Sequence, residues 1–117
     1  MPAANREIAE ALSGHRFDDA LPFVDEDAEW MLVGGDTLRG PEAIAAACHG
    51  TTDELAGVAT RFTRFDVIDG GDLVAVDAVG VYTDDTGEVS AVSSCDIYTF
   101  REGRIVGIRS YTVEVTP

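Results

Sequence analysis

Any chemistry in this chain turns on Asp96. It lies in the stretch Val89 to Val115, VSAVSSCDIYTFREGRIVGIRSYTVEV, which reads as two strands joined by a tight turn at Arg101-Glu102-Gly103. Successive strand residues face opposite ways, so Ser94, Asp96, Tyr98 and Phe100 share one side, and Cys95, Ile97 and Thr99 the other. A three-residue loop with Gly103 left-handed sets Asp96 opposite Ile108 and Ser94 opposite Ser110. The acid then stands alone on an apolar, hydroxyl-bearing face. A two-residue loop, Glu102-Gly103, shifts the register by one and sets Asp96 opposite Arg109 as an ordinary cross-strand ion pair. Turn chemistry leaves both registers open.

In the first register Asp96 is walled by Trp30, Leu32, Val76, Tyr98 and Ile108. Apolar walls disfavour the charged form of a carboxyl group, and such an acid suits proton donation or shuttling beside a carbonyl. Trp30 and Tyr98 offer flat apolar contact with one donor each. With Leu32, Val76, Ser94, Ile108 and Ser110 they form the expected ligand-binding set around a catalytic Asp96. Asp77 is expected to face away, because a second acid beside Asp96 adds like-charge repulsion and a three-residue loop near Asp84–Gly87 pairs Val76 with Asp96. Tyr82 and Tyr111 face outward by alternation. His49 reads as a partner for the C-terminal dipole of a helix, and His15 as a loop residue.

The elements that must position these groups come in two blocks. Residues 4–13 carry Ile8, Ala11 and Leu12 at helical spacing, with Gly14 as a stop. Asp18 reads as the N-cap of a second helix, which places Pro22 at the fourth helical position and costs no intrahelical donor. Residues 28–33 read as a strand with Trp30 and Leu32 on one face. Gly34-Gly35-Asp36 turns the chain, and Gly40-Pro41 opens a third helix over EAIAAACH. From Val58 onward the pattern is β: Val58–Ile68, Leu73–Thr83, then the pair that holds Asp96. Helices first and consecutive antiparallel strands afterwards predict an α+β fold.

Composition limits the partners. The chain has 117 residues, enough for a single domain spanning residues 1–117. Its formal charge is −14, with 22 acidic residues against eight arginines and no lysine. Such acidity repels phosphate backbones and anionic headgroups, so neither nucleic acid nor membrane is an expected partner. No apolar run approaches the roughly 18 residues of a membrane span, and no leader pattern opens the sequence. The expectation is a cytoplasmic protein with Cys48 and Cys95 as reduced thiols. Their spacing fits neither a metal site nor a redox pair. No phosphate-binding glycine loop or nucleophile motif is present.

Trp30 on a first strand, LRGPEAI at 38–44 opening a helix, and CDIYTFREGRIVGIRSY at 95–111 together resemble the nuclear transport factor 2-like superfamily, in its SnoaL-like branch. That branch includes polyketide cyclases, ketosteroid isomerase and limonene epoxide hydrolase. The resemblance implies a cone: three N-terminal helices packed on a strongly curved, mostly antiparallel sheet around an apolar pocket, often dimeric through the outer sheet face. It places Asp96 where ketosteroid isomerase carries the carboxylic acid of its oxyanion hole. The isomerase's tyrosine donor falls near Ile8 and its base near Leu32, neither of which has that chemistry. Against the hydrolase, Asp77 approaches one acid position, while Ser110 and Ala75 replace the other acid and the arginine. What the resemblance implies is a cofactor-free enzyme, without metal, acting on an apolar carbonyl-bearing small molecule as an isomerase, cyclase or dehydratase. The rival is a non-catalytic ligand-binding or dimerising module with the same pocket. A filled scaffold is a third reading, for which Ser94, Asp96 and Ser110 are odd core residues.

Overall fold

The computed structural model describes residues 4–117. Helix α1 (Asn5–Ser13) buries Ile8, Ala9, Ala11 and Leu12 on one stripe. Its end is a Schellman closure, with Arg16 N–H donating to Ala11 O (2.7 Å) and His15 N–H to Leu12 O (3.2 Å). Gly14 is required there, since a Cβ would lie 2.8 Å from Glu10 O. The left-handed position, usually glycine, is taken by His15 at φ 66°.

Helix α2 (Phe17–Ala20) is a single turn that tightens into a 3₁₀ turn at Leu21–Phe23. This corrects the longer second helix expected from Asp18, because Pro22 falls in the first turn of the 3₁₀ segment. Strand β1 (Val24–Leu32) begins four residues earlier than the sequence pattern suggests and takes in the acidic run Asp25-Glu26-Asp27. That run is where β1 bulges. Val24 pairs with Ile105 and Glu29 with Gly107, so five steps along β1 match two along β6 (Arg104–Val115). An alternation reading loses the strand at such an irregularity.

A short β2 (Thr37–Arg39) pairs back on β1 and leads into α3 (Gly40–Glu54), whose Ile44 and Cys48 are fully buried. The helix runs through Gly50, so His49 sits five residues before its end, and the last turn holds no basic side chain. The dipole role expected of His49 is therefore not met. Strands β3 (Ala59–Asp69), β4 (Leu73–Thr83) and β5 (Val89–Arg101) complete one six-stranded sheet in the order β2-β1-β6-β5-β4-β3. Neighbours are antiparallel except β1 and β6. The helices cover the concave face of this curved sheet, giving the α+β cone. The core is built from α1 (Ile8, Leu12), α3 (Ile44, Cys48) and the inward positions Val74, Val76, Tyr98, Ile105 and Ile108.

The register at Asp96 matches neither sequence alternative. The β5–β6 loop has two residues, Glu102 (φ 51°) and Gly103 (φ 76°), the double left-handed pattern of a type I′ turn. Arg101 pairs with Arg104 and Phe100 with Ile105, but Thr99 then pairs with Gly107. Val106 is a one-residue bulge. It moves every later pair by one position, so Asp96 lies opposite Ser110, and Arg109 pairs with Ile97 on the other face.

Candidate functional site

Asp96 is half-buried on the concave face, and both its carboxylate oxygens accept hydrogen bonds. Ser110 Oγ donates to Oδ1 at 2.6 Å and Ser13 Oγ donates to Oδ2 at 2.7 Å. Behind these stand two further donors. Trp30 Nε1–H donates to Ser110 Oγ at 2.8 Å, and Tyr98 Oη lies 2.6 Å from Ser13 Oγ. A serine hydroxyl has one proton. Because Ser13 spends its proton on Asp96, Tyr98 must donate to Ser13. The relays therefore run from an indole and a phenol, through two hydroxyls, onto one carboxylate.

Four separate elements deliver this arrangement. Ser13 is the last residue of α1, Trp30 lies on β1, Asp96 and Tyr98 on β5, and Ser110 on β6. Tyr98 is fully enclosed, and burial, then the charge of Asp96, pushes its phenol well above the ordinary range. It stays a donor.

A cavity of about 270 Å³ opens above Asp96, lined also by Leu12, Ser13, His15, Phe17, Trp30, Leu32, Thr51, Phe62, Gly80, Tyr82, Val92, Ser94, Ser110 and Thr112. Of the expected ligand-binding set, Trp30, Leu32, Ser94 and Ser110 line it. Val76, Tyr98 and Ile108 do not. They point the expected way, but each is fully buried beneath the floor, packed with α1 and α3. Ion pairing with Arg109 is excluded, since that side chain is on the exposed outer face. Asp77 also faces outward, where it pairs with Arg64 at 3.2 Å. Val76 pairs with Asp96 as the three-residue loop required, closed by a bond from Asp84 N–H to Glu88 O.

Sequence reasoning missed Ser13, His15 and Tyr82. The Schellman closure turns His15 inward, against Phe17 and Phe62 (ring centroids 5.6 Å from each) and Tyr82 (6.4 Å). Burial lowers its pKa, with the charge of Asp96 acting the other way. The imidazole is thus favoured neutral. Tyr82, expected to face outward, instead shares the inward side of β4 with Val76 and lines the cavity, and burial raises its pKa. For Ser13 and His15 the one signal in the sequence was the tripeptide Ser13-Gly14-His15 at a helix end, which names a cap but not the direction of the residue after it. Among the described residues no cluster of His, Cys, Asp and Glu could hold a metal ion. Cys48 is buried, its thiol pushed up to about 11, which leaves it unreactive.

The sequence profile of the SnoaL-like domain matches residues 5–108. The chain belongs to the SnoaL-like family. No curated protein matches it. Among solved structures, this SnoaL-like chain is similar to a nuclear transport factor 2-like protein of unknown function from Cytophaga hutchinsonii. The two share 25% identity with a TM-score of 0.79, over 92% of this chain and 94% of the other. It is similar in fold to a candidate polyketide cyclase from Xanthomonas campestris pv. campestris (22% identity, TM-score 0.68, 92% of each chain). An LEH-like epoxide hydrolase from M. tuberculosis shares the fold at 18% identity and TM-score 0.67, over 93% of this chain and 82% of that one. No helix among the described residues is long and apolar enough to cross a membrane.

Proposed function

We propose that this protein is a small-molecule enzyme that moves a proton next to a carbonyl, of the isomerase, cyclase or dehydratase type, with Asp96 as the group that carries the proton. The reading rests on one observation: a carboxylate borders the cavity with both oxygens held by serine hydroxyls. A carboxylate offers about four acceptor positions. Two remain for a substrate C–H or O–H, while the serines fix the group's orientation so that little reorganisation accompanies the transfer. The carbonyl can be met by the hydroxyls of Ser94 and Thr112 or the neutral imidazole of His15, all on the same cavity. Such chemistry calls for no cofactor.

The role differs from the neutral acid suggested by the ketosteroid isomerase resemblance. With donors on both oxygens, Asp96 is arranged first as an acceptor. Hydrogen–deuterium exchange at the α-carbon of 2-tetralone in D₂O tests this without knowledge of the natural substrate. The wild-type protein should accelerate exchange, and Asp96→Asn should slow it by about 100-fold or more while melting close to wild type. Exchange that survives the substitution, or that falls only in step with folding, counts against the proposal.

The rival reading is a non-catalytic ligand-binding module that uses the same cavity. Binding of 2-tetralone without exchange would select that reading. We also propose a homodimer through the outer sheet face, supported by the exposed apolar side chains Met31, Tyr111, Val113 and Val115 there.

A further inference from the structure

A second cavity, of about 390 Å³, lies against the first and is lined by Glu54, Leu55, Val58, Asp84, Glu88 and Ser90. Four residues line both cavities: His15, Thr51, Tyr82 and Val92. They form the boundary between an inner chamber, floored by Asp96, and an outer one toward solvent. His15 is fixed by its left-handed backbone and by Phe17 and Phe62. Tyr82 is seated differently. Its ring folds back over Gly80, two residues earlier on the same face of β4. A Cβ at position 80 would lie 2.8 Å from the Tyr82 hydroxyl and 3.0–3.1 Å from its ring. Gly80 is not at positive φ, so the backbone does not need glycine there. The tyrosine does.

We propose that Tyr82, seated on Gly80, and His15 form a neck joining the two chambers. The substrate of this site is then an elongated, two-part ketone whose reacting end lies at Asp96 and whose remainder runs out along Thr51, Leu55 and Val58. The inner chamber alone is small for a ligand site, whereas the two together fall in the usual range for one. Gly80 is a specificity-determining position, because any side chain there lifts the Tyr82 ring into the passage. This deepens the proposed function by naming the substrate class for the same pocket.

Trp30 is the chain's single tryptophan and lines the inner chamber, so its fluorescence reports binding. The probes are acetophenone, which fits within the inner chamber, and 4-acetylbiphenyl, which must pass the neck. Burying the second ring should make 4-acetylbiphenyl bind wild type about tenfold tighter or better. Gly80→Ala should abolish that advantage, weakening 4-acetylbiphenyl about tenfold more than acetophenone, and Gly80→Ala/Tyr82→Ala should restore it, as expected for two residues in direct contact. Val92→Phe, which plugs the boundary from β5 and leaves Trp30 the single tryptophan, should repeat the effect of Gly80→Ala and serves if the latter folds poorly. Equal affinity of the two ketones for wild type, binding of neither, or a Gly80→Ala defect that Tyr82→Ala does not rescue would overturn the neck. The pattern can hold while Asp96→Asn exchanges normally, in which case the neck stands and the proton-transfer role falls. The opposite pair of results leaves Asp96 its role and removes the neck.

Discussion

Ser13 and Tyr98 show how much of this site is structural support. With Ser13→Ala, the fully buried Tyr98 hydroxyl loses its acceptor, at a cost of about 1–3 kcal/mol. Tyr98→Phe removes only a donor and should cost about 0.5–1.5 kcal/mol. The double substitution should then cost clearly less than the two singles added together, because no stranded hydroxyl is left. Urea unfolding of the four proteins measures this, and additive losses would break the relay inferred from the 2.6 Å contact. His15 makes a second residue-scale prediction. Its pKa in the fold lies below the ordinary 6.5. As pH falls below 6.5 the unfolded chain takes up a proton that the folded imidazole refuses, so stability drops until the lower folded value is passed. His15→Asn tolerates the left-handed backbone and should flatten that part of the stability profile. A profile parallel to wild type would mean that His15 does not titrate as its burial implies.

Strands were more legible than their pairing. Leu73–Thr83 and the span Val89–Val115 follow from apolar alternation and turn residues, and the structure matches both. The partner of Asp96 did not follow, because the Val106 bulge has no marker in the sequence, and a one-residue slip turns a whole strand over. The two-residue loop was itself one of the readings, yet with the bulge it gives neither outcome drawn from the turn alone. His15 and Tyr82 were missed for different reasons. The helix-end closure that turns His15 inward is local geometry that spacing does not encode. Tyr82 lies six residues beyond Val76 on an unbroken strand, so alternation counted from Val76 already puts it inward, and the outward expectation misapplied it. At the scale of the hairpin, Glu102 occupies a left-handed turn position that suits asparagine or glycine. Glu102→Asn should raise stability by about 0.5–1 kcal/mol, read as a higher Tm. A lower Tm would argue that Glu102 has a contact worth more than its backbone strain.

For the molecule as a whole, the acid-rich composition and the absence of arginine from both chambers fit an uncharged ligand better than an anionic one. The outer face has a different character. Val113 is 62% exposed and Tyr111 44%, and these two lie on β6 behind the Asp96 floor. If two copies meet there, Val113→Glu should convert a dimer to a monomer in light scattering after size exclusion, with the cavity and its ketone binding intact. A monomeric wild type would refute the dimer without touching the site.

The parallel seam between β1 and β6 carries a consequence for how the chain comes into being. Trp30 and Ser110 are 80 residues apart in sequence, and Ser13 and Asp96 are 83. Strand β6, made long after β1, is therefore the one that β1 must wait for. Contacts of such long range slow folding, and until β6 arrives the edge of β1 that it pairs has no partner strand, which is when a nascent chain is most prone to aggregate. Truncation within β6 should thus yield insoluble protein rather than a folded chain with an open pocket.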